Sequence, residues 1–155
     1  MTVISPMTLF LAAAVTTAMA LAIAAVVDGA RRSRLRRLAR SWQMRYVSGD
    51  LFDLARRVAG QFAVPGAADL RVVDVIYASG GERHRYLFTV EYTTQGPGQR
   101  RREARAATFC EPRERTGFGP SPLVLGPDRL PLVQQYEELY RTQCAEEPQQ
   151  PRPPG

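Results

Sequence analysis

One histidine, two cysteines and a few carboxylates are the groups in this 155-residue chain that could carry acid–base, nucleophilic or metal chemistry. Their spacing gathers few of them. His84 stands between Arg83 and Arg85 beside an expected hairpin turn, where a solvated side chain is the simpler reading. One histidine and two distant cysteines, Cys110 and Cys144, assemble no metal-ligand cluster, and no base stands beside either thiol in sequence. Two free thiols are expected. Asp50 and Asp53 suit a helix N-terminus better than paired acid–base work, and Glu137 with Glu138 suits a solvated helix face. Gly117-Phe118-Gly119-Pro120 lacks the lysine of a phosphate-cradling loop, and its proline removes a backbone donor. The expectation is no catalytic residue, no cofactor and no metal ion, which leaves an enzyme only of an unrecognised kind.

The residues that do carry a signal are arginines. Val3 to Val27 is one uncharged, largely apolar run, and Arg31 to Arg45 follows it with seven arginines and no acid. About 20 apolar residues cross a ~30 Å hydrocarbon core, and clustered arginine stays on the cytoplasmic side. A single transmembrane segment over residues 1–30 is expected, with its N-terminus outside. A cleaved signal fits less well, because Met1 to Phe10 has no basic side chain and the apolar run is too long, although Ala18-Met19-Ala20 resembles a cleavage site. Ala14, Ala18, Ala22 and Ala25 make one side of the span small, which would permit a homo-oligomer through close helix packing.

The net charge of +6 belongs to that junction. Residues 1–30 carry −1, residues 31–45 carry +7, and fourteen arginines balance fourteen acids from residue 46 onward. A neutral domain lacks the basic surplus that nucleic-acid binding needs, whereas a basic segment beside a bilayer is drawn to anionic headgroups at ~1 kcal/mol per residue. The expected membrane-interface residues are Arg31, Arg32, Arg34, Arg36, Arg37, Arg40 and Trp42. Every basic side chain is arginine, which reads as the codon bias of a GC-rich, bacterial genome.

The elements around these residues follow from periodicity. Leu35, Leu38, Ala39, Trp42 and Tyr46 recur at intervals of three and four, predicting a basic juxtamembrane amphipathic helix over 31–47. Trp42 and Tyr46 on it either meet the headgroup boundary or pack into the domain core. Asp50 and Asp53 open a second helix over about 50–62, with Leu51, Leu54, Ala55, Val58 and Phe62 as its apolar stripe. From Leu70 the period changes to two, and strands are predicted from Arg71 to Tyr77, around Tyr86 to Tyr92, and from Arg102 to Cys110. Turns fall at Ser79-Gly80-Gly81-Glu82 and at Gln95-Gly96-Pro97-Gly98-Gln99. Thr116 to Pro122 reads as a loop, Leu123 to Leu125 as a short strand, and Asp128 as the cap of a last helix running to about Gln143. The fold class is α+β, an antiparallel sheet of three or four strands whose aromatic face buries against helices. A cytoplasmic domain over 48–144 precedes a disordered Pro-rich tail at 145–155.

Trp42, Gly49-Asp50 with Leu51 after it, and Leu87-Phe88 with Tyr92 resemble a W…GD…LF-x-x-x-Y pattern found in uncharacterised bacterial single-pass membrane proteins. The resemblance covers about residues 38–95 and implies one folded unit from Arg40 to about Cys110. Proteins of that kind carry no assigned activity, so no site residue comes with it.

Two further features have plain readings. Arg100-Arg101-Arg102, with Arg105 close behind, could form a nucleic-acid platform if tyrosines on the sheet were exposed, but the aromatics fall on the face expected to be buried. Pro151-Arg152-Pro153-Pro154 has the composition of an extended ligand for an aromatic groove, and of any proline-rich terminus. The leading expectation is a membrane-tethered binding or scaffold module at the bacterial inner membrane, with an unidentified protein partner and anionic headgroups as its contacts. The alternatives are an accessory or sensory subunit that binds a small ligand, and the unrecognised enzyme.

Overall fold

The structure is a computed structural model that describes residues 6–79, 83–96, 99–112 and 122–145. The turn residues 80–82, the glycine and proline loop before Pro122 and the proline-rich tail lie outside the described residues. The chain divides into two compact units, Met1–Arg34 and Leu35–Gly155.

In the first unit lies most of α1 (Pro6–Ser41), a helix long and apolar enough to cross a membrane. Pro6 opens it, where a missing N–H costs little. Thr16 and Thr17 return their hydroxyls to carbonyls one turn back, so neither presents an unsatisfied donor.

The second unit is built on a five-stranded antiparallel sheet in the order β1-β2-β3-β4-β5: β1 (Arg45–Ser48), β2 (Ala67–Ala78), β3 (Arg83–Gly96), β4 (Gln99–Pro112) and β5 (Val124–Leu125). The expected three or four strands are therefore five, and the additional one is β1. The juxtamembrane helix predicted to residue 47 stops at Ser41. Gln43 is left-handed at φ 56°, its N–H bonds Arg40 O at 3.1 Å, and Met44 N–H bonds Ala39 O at 2.8 Å. That pair of bonds closes the last helical turn, with glutamine taking the place usually held by glycine. The next four residues then pair with β2, Tyr46 opposite Ile76 and Val47 opposite Val75.

Both faces of the sheet are buried, where one was expected. Successive strand residues point to opposite faces, and Leu87 and Phe88 go to separate clusters, as do Ala106 and Ala107. On one face Val75, Phe88, Val90 and Phe109 pack under α2 (Leu54–Val58), which runs on into a 3₁₀ turn at Ala59–Gln61. On the other, Ile76, Leu87 and Ala106 pack with Leu35 and Ala39 of α1 and with Tyr136 and Leu139 of α3 (Leu132–Ala145). A bulge lets β2 serve both clusters. Val72 pairs with Val90 but Val75 with Phe88, so Val73 and Asp74 together face the single residue Thr89, and Val72 and Val75 reach the same face with Asp74 turned to the other.

The loop after β1 works differently from the paired-cap expectation. Gly49 sits at φ 90°, a conformation that favours glycine, and its N–H bonds Val73 O. Asp50 alone caps α2, accepting from Leu54 N–H at 2.7 Å and Ala55 N–H at 2.8 Å. Asp53 is left-handed at φ 54°, makes no cap bond and pairs with Arg56 at 2.6 Å. The helix accordingly starts at Leu54, and Leu51, expected in its apolar stripe, is exposed in the turn before it while Phe52 packs inward.

At the far edge, Gly126 N–H bonds Ala106 O at 2.7 Å, and a Cβ on Gly126 would come within 2.8 Å of Gln135. Gln135 is buried with both ends of its amide used: Oε1 accepts from Ala106 N–H at 2.9 Å and Nε2 donates to Leu130 O at 2.8 Å. Asp128, expected to cap α3, instead pairs with Arg105 at 2.6 Å, and Pro131 stands directly before the helix.

Candidate functional site

The arginines of α1 are distributed over both units. In the first, Arg32 and Arg34 are exposed, and Arg31 is half-buried with Asp28 at 3.8 Å. Ten large apolar side chains of the same unit, among them Met7, Phe10, Leu21 and Val26, are exposed as well, and none of the most apolar stretch of α1 is buried inside the protein. The helix is long and apolar enough to cross a membrane. In the second unit, Arg36, Arg37 and Arg40 are exposed, while Leu35 and Ala39 on the same turns are fully buried. The helix thus alternates one domain-facing stripe with exposed guanidinium groups.

Trp42 and Tyr46 take the domain placement of the two open to them. Trp42 stacks on Tyr140 with ring centroids 4.2 Å apart and planes 6° from parallel. Tyr46 lies beneath Arg36, 5.3 Å from guanidinium carbon to ring centre, and donates its hydroxyl to Asp74 Oδ1 at 2.6 Å. Asp74 is 1% exposed. Its backbone carbonyl accepts from the Tyr136 hydroxyl at 3.0 Å, and that hydroxyl lies 2.8 Å from Thr89 Oγ1. One buried polar chain therefore ties β1, β2, β3 and α3 together.

A second convergence lies on the opposite face. His84, expected to be solvated, is a half-buried residue near the start of β3 and is paired in register with Glu111. Arg83 and Arg85 point to the other side by strand alternation. Glu111 forms an ion pair with Arg57, whose guanidinium lies 5.7 Å from the Tyr86 ring and 5.3 Å from that of Phe109. His84 is tilted against Tyr86 at 6.4 Å. With Glu111 on one side and two aromatic faces beside it, Arg57 has its charge satisfied inside the protein, which makes the cluster a clamp holding α2 on the sheet.

The remaining candidates stay apart. Cys110 Sγ accepts from Gln143 Nε2 at 3.2 Å. The Cys144 side chain lies outside the described residues. Glu138 pairs with Arg141 at 3.3 Å on the exposed side of α3. Among the described residues no group of three or more His, Cys, Asp or Glu side chains is placed to hold a metal ion. The acidity of Tyr92 is shifted: burial first, then its hydrogen bond to Glu103 Oε2 at 3.1 Å and that carboxylate's charge, push its hydroxyl above the usual tyrosine value of 10.0.

The residues of the W…GD…LF-x-x-x-Y pattern all have places in the fold. Trp42 stacks on α3, Gly49 provides the left-handed turn, Asp50 caps α2, Leu87 and Phe88 serve the two cores, and Tyr92 packs edge-on to Phe62 at 5.1 Å. No protein-family model, curated protein or solved structure matches the chain.

Proposed function

We propose that this protein is a single-pass, membrane-tethered binding module. The apolar part of α1 spans the bacterial inner membrane with its N-terminus outside, and the α+β unit is held in the cytoplasm. Arg31, Arg32, Arg34, Arg36, Arg37 and Arg40 meet anionic headgroups, each contributing ~1 kcal/mol near the surface. The observation that carries the reading is the wholly exposed apolar face of α1 followed directly by exposed arginines. A domain with two well-filled cores and its arginine–carboxylate pairs closed on themselves suits docking of a protein partner better than catalysis.

Topology tests the anchor. A C-terminal green fluorescent protein fusion should fluoresce in a bacterial host while the matching alkaline phosphatase fusion stays inactive; the reverse pattern would sink the cytoplasmic placement. Crosslinking of the anchored chain in its native host, followed by purification, should yield one abundant partner protein. Recovery of the chain alone would remove the support for a docking role.

A further inference from the structure

β4 has an open backbone edge inside the Leu35–Gly155 unit. β5 pairs with it at Ala107 and Thr108, and from Gln99 to Arg105 no strand pairs with its outer side among the described residues. That stretch is roughly 23 Å long at ~3.3 Å per residue. Its direction is set at Ala106, whose N–H donates to Gln135 Oε1 and whose carbonyl accepts from Gly126 N–H, so both groups point away from β3. The register with β3 is unbroken from Ala106 to Gln99. By alternation the N–H and C=O groups of Ala104, Arg102 and Arg100 also point outward, spaced as the ladder for one more strand.

The chain's own segment after β5 shows how this edge holds a strand. Gly126 N–H bonds Ala106 O at 2.7 Å, and the Arg105 guanidinium reaches across the edge to Gly126 O at 2.6 Å and to Asp128 at 2.6 Å. Backbone bonds and an arginine on a carboxylate thus act together. The segment goes no further, because α3 begins at Leu132 and Gln135 returns to Ala106. The arginines do continue. Arg101 stands on the same face as Arg105, four residues away, and Glu103 between them is turned inward to Tyr92 and Thr94. Arg100 and Arg102 lie on the other face, and Arg102 pairs with Glu91. Arg100 and Arg101 are exposed and make no ion pair among the described residues.

We propose that the outer edge of β4 from Gln99 to Arg105 takes an extended acidic segment of a partner protein as an added strand. Its backbone bonds Arg100, Arg102 and Ala104, and its carboxylates meet the Arg100 and Arg101 guanidinium groups. This rests on the docking reading and names the surface and the chemistry of the partner. A second copy of this chain would set arginine against arginine across the new pair, which is destabilising, so the edge selects against self-association. A single-stranded nucleic acid would need an aromatic platform, and Tyr92, the tyrosine on this stretch, is 3% exposed. An acidic strand matches both the ladder and the charge.

The test uses the full chain in phosphatidylcholine nanodiscs and a fluorescein-labelled peptide of alternating glutamate and threonine, read by anisotropy. The peptide should bind, and Arg100→Gln with Arg101→Gln should weaken it about fivefold, the sum of two exposed charge pairs. Circular dichroism of the double variant should match the parent, since neither side chain has an ion pair to lose. The fully N-methylated peptide, which keeps the charge and loses the backbone donors, should not bind. Equal binding of the two peptides, or binding of neither, overturns the added strand. Tighter binding of an oligothymidylate than of the acidic peptide overturns the protein assignment in favour of nucleic acid. Crosslinking in the native host separates the edge from the docking reading. Loss of the partner in the double variant is expected; its undiminished capture overturns the edge while docking stands, and recovery of the parent chain alone overturns both.

Discussion

The Tyr46 hydroxyl donates to Asp74 Oδ1 at 2.6 Å, joining a four-residue edge strand to a carboxylate that is 1% exposed. β1 is too short to hold its place by backbone pairing alone, and the hydrogen bond to a buried charge supplies what the ladder lacks. Tyr46→Phe should cost about 2 kcal/mol, the scale of a hydrogen bond to a charged group. Urea unfolding of the detergent-solubilised chain checks this; a change below about 0.5 kcal/mol would mean that other partners of Asp74 take over.

Asp50 and Asp53 should separate cleanly. Asp50→Ala removes two bonds to the first N–H groups of α2 and should destabilise by about 1–2 kcal/mol. Asp53→Ala breaks only an exposed pair with Arg56 and should stay within about 0.5 kcal/mol of the parent. Thermal melts of the two variants decide it, and equal losses would contradict the single-cap geometry.

The folded unit should need the end of α1. Leu35 is fully buried against a cluster that includes Ile76, Leu87 and Tyr136, so Leu35→Ala should cost about 2–5 kcal/mol. A fragment starting at residue 31 is expected to unfold cooperatively, and one starting at residue 43 to lose that cooperativity. Indistinguishable melting of the two fragments would show that α1 is dispensable to the core.

Stability should fall in alkali through Tyr92. Its folded-state value is raised, so the unfolded chain ionises first; the contribution is complete below about pH 10 and is lost as pH rises through the higher folded-state value. Tyr92→Phe should flatten that decline relative to the parent. Urea midpoints at pH 8 and above pH 10 measure it, and parallel declines in the two proteins would exclude Tyr92 as the cause.

Periodicity made most of the elements legible. The strands around Val72–Ile76, Tyr86–Tyr92 and Ala104–Phe109 and the last helix all lie where their patterns put them, because each carries several turns or alternations of its own. β1 had no such pattern. Arg45-Tyr46-Val47-Ser48 continues the three-and-four spacing of the helix before it, and no glycine announces that the helix has ended, since Gln43 takes the left-handed position. The Asp50 cap was visible as residue types, but which of the two aspartates would cap depended on backbone geometry at Asp53.

From the sequence by itself come the apolar run, the arginine block after it, the neutral balance of the remainder and the alternations of the sheet, because hydropathy and charge are properties of neighbouring residues. Tertiary structure alone decided that Tyr46 joins a sheet edge, that Asp74 is buried behind it, and that His84 faces Glu111 across two strands. Each of those is a contact between residues far apart in the chain, made by strand pairing and by helices laid on both faces of the sheet, and no local pattern encodes it.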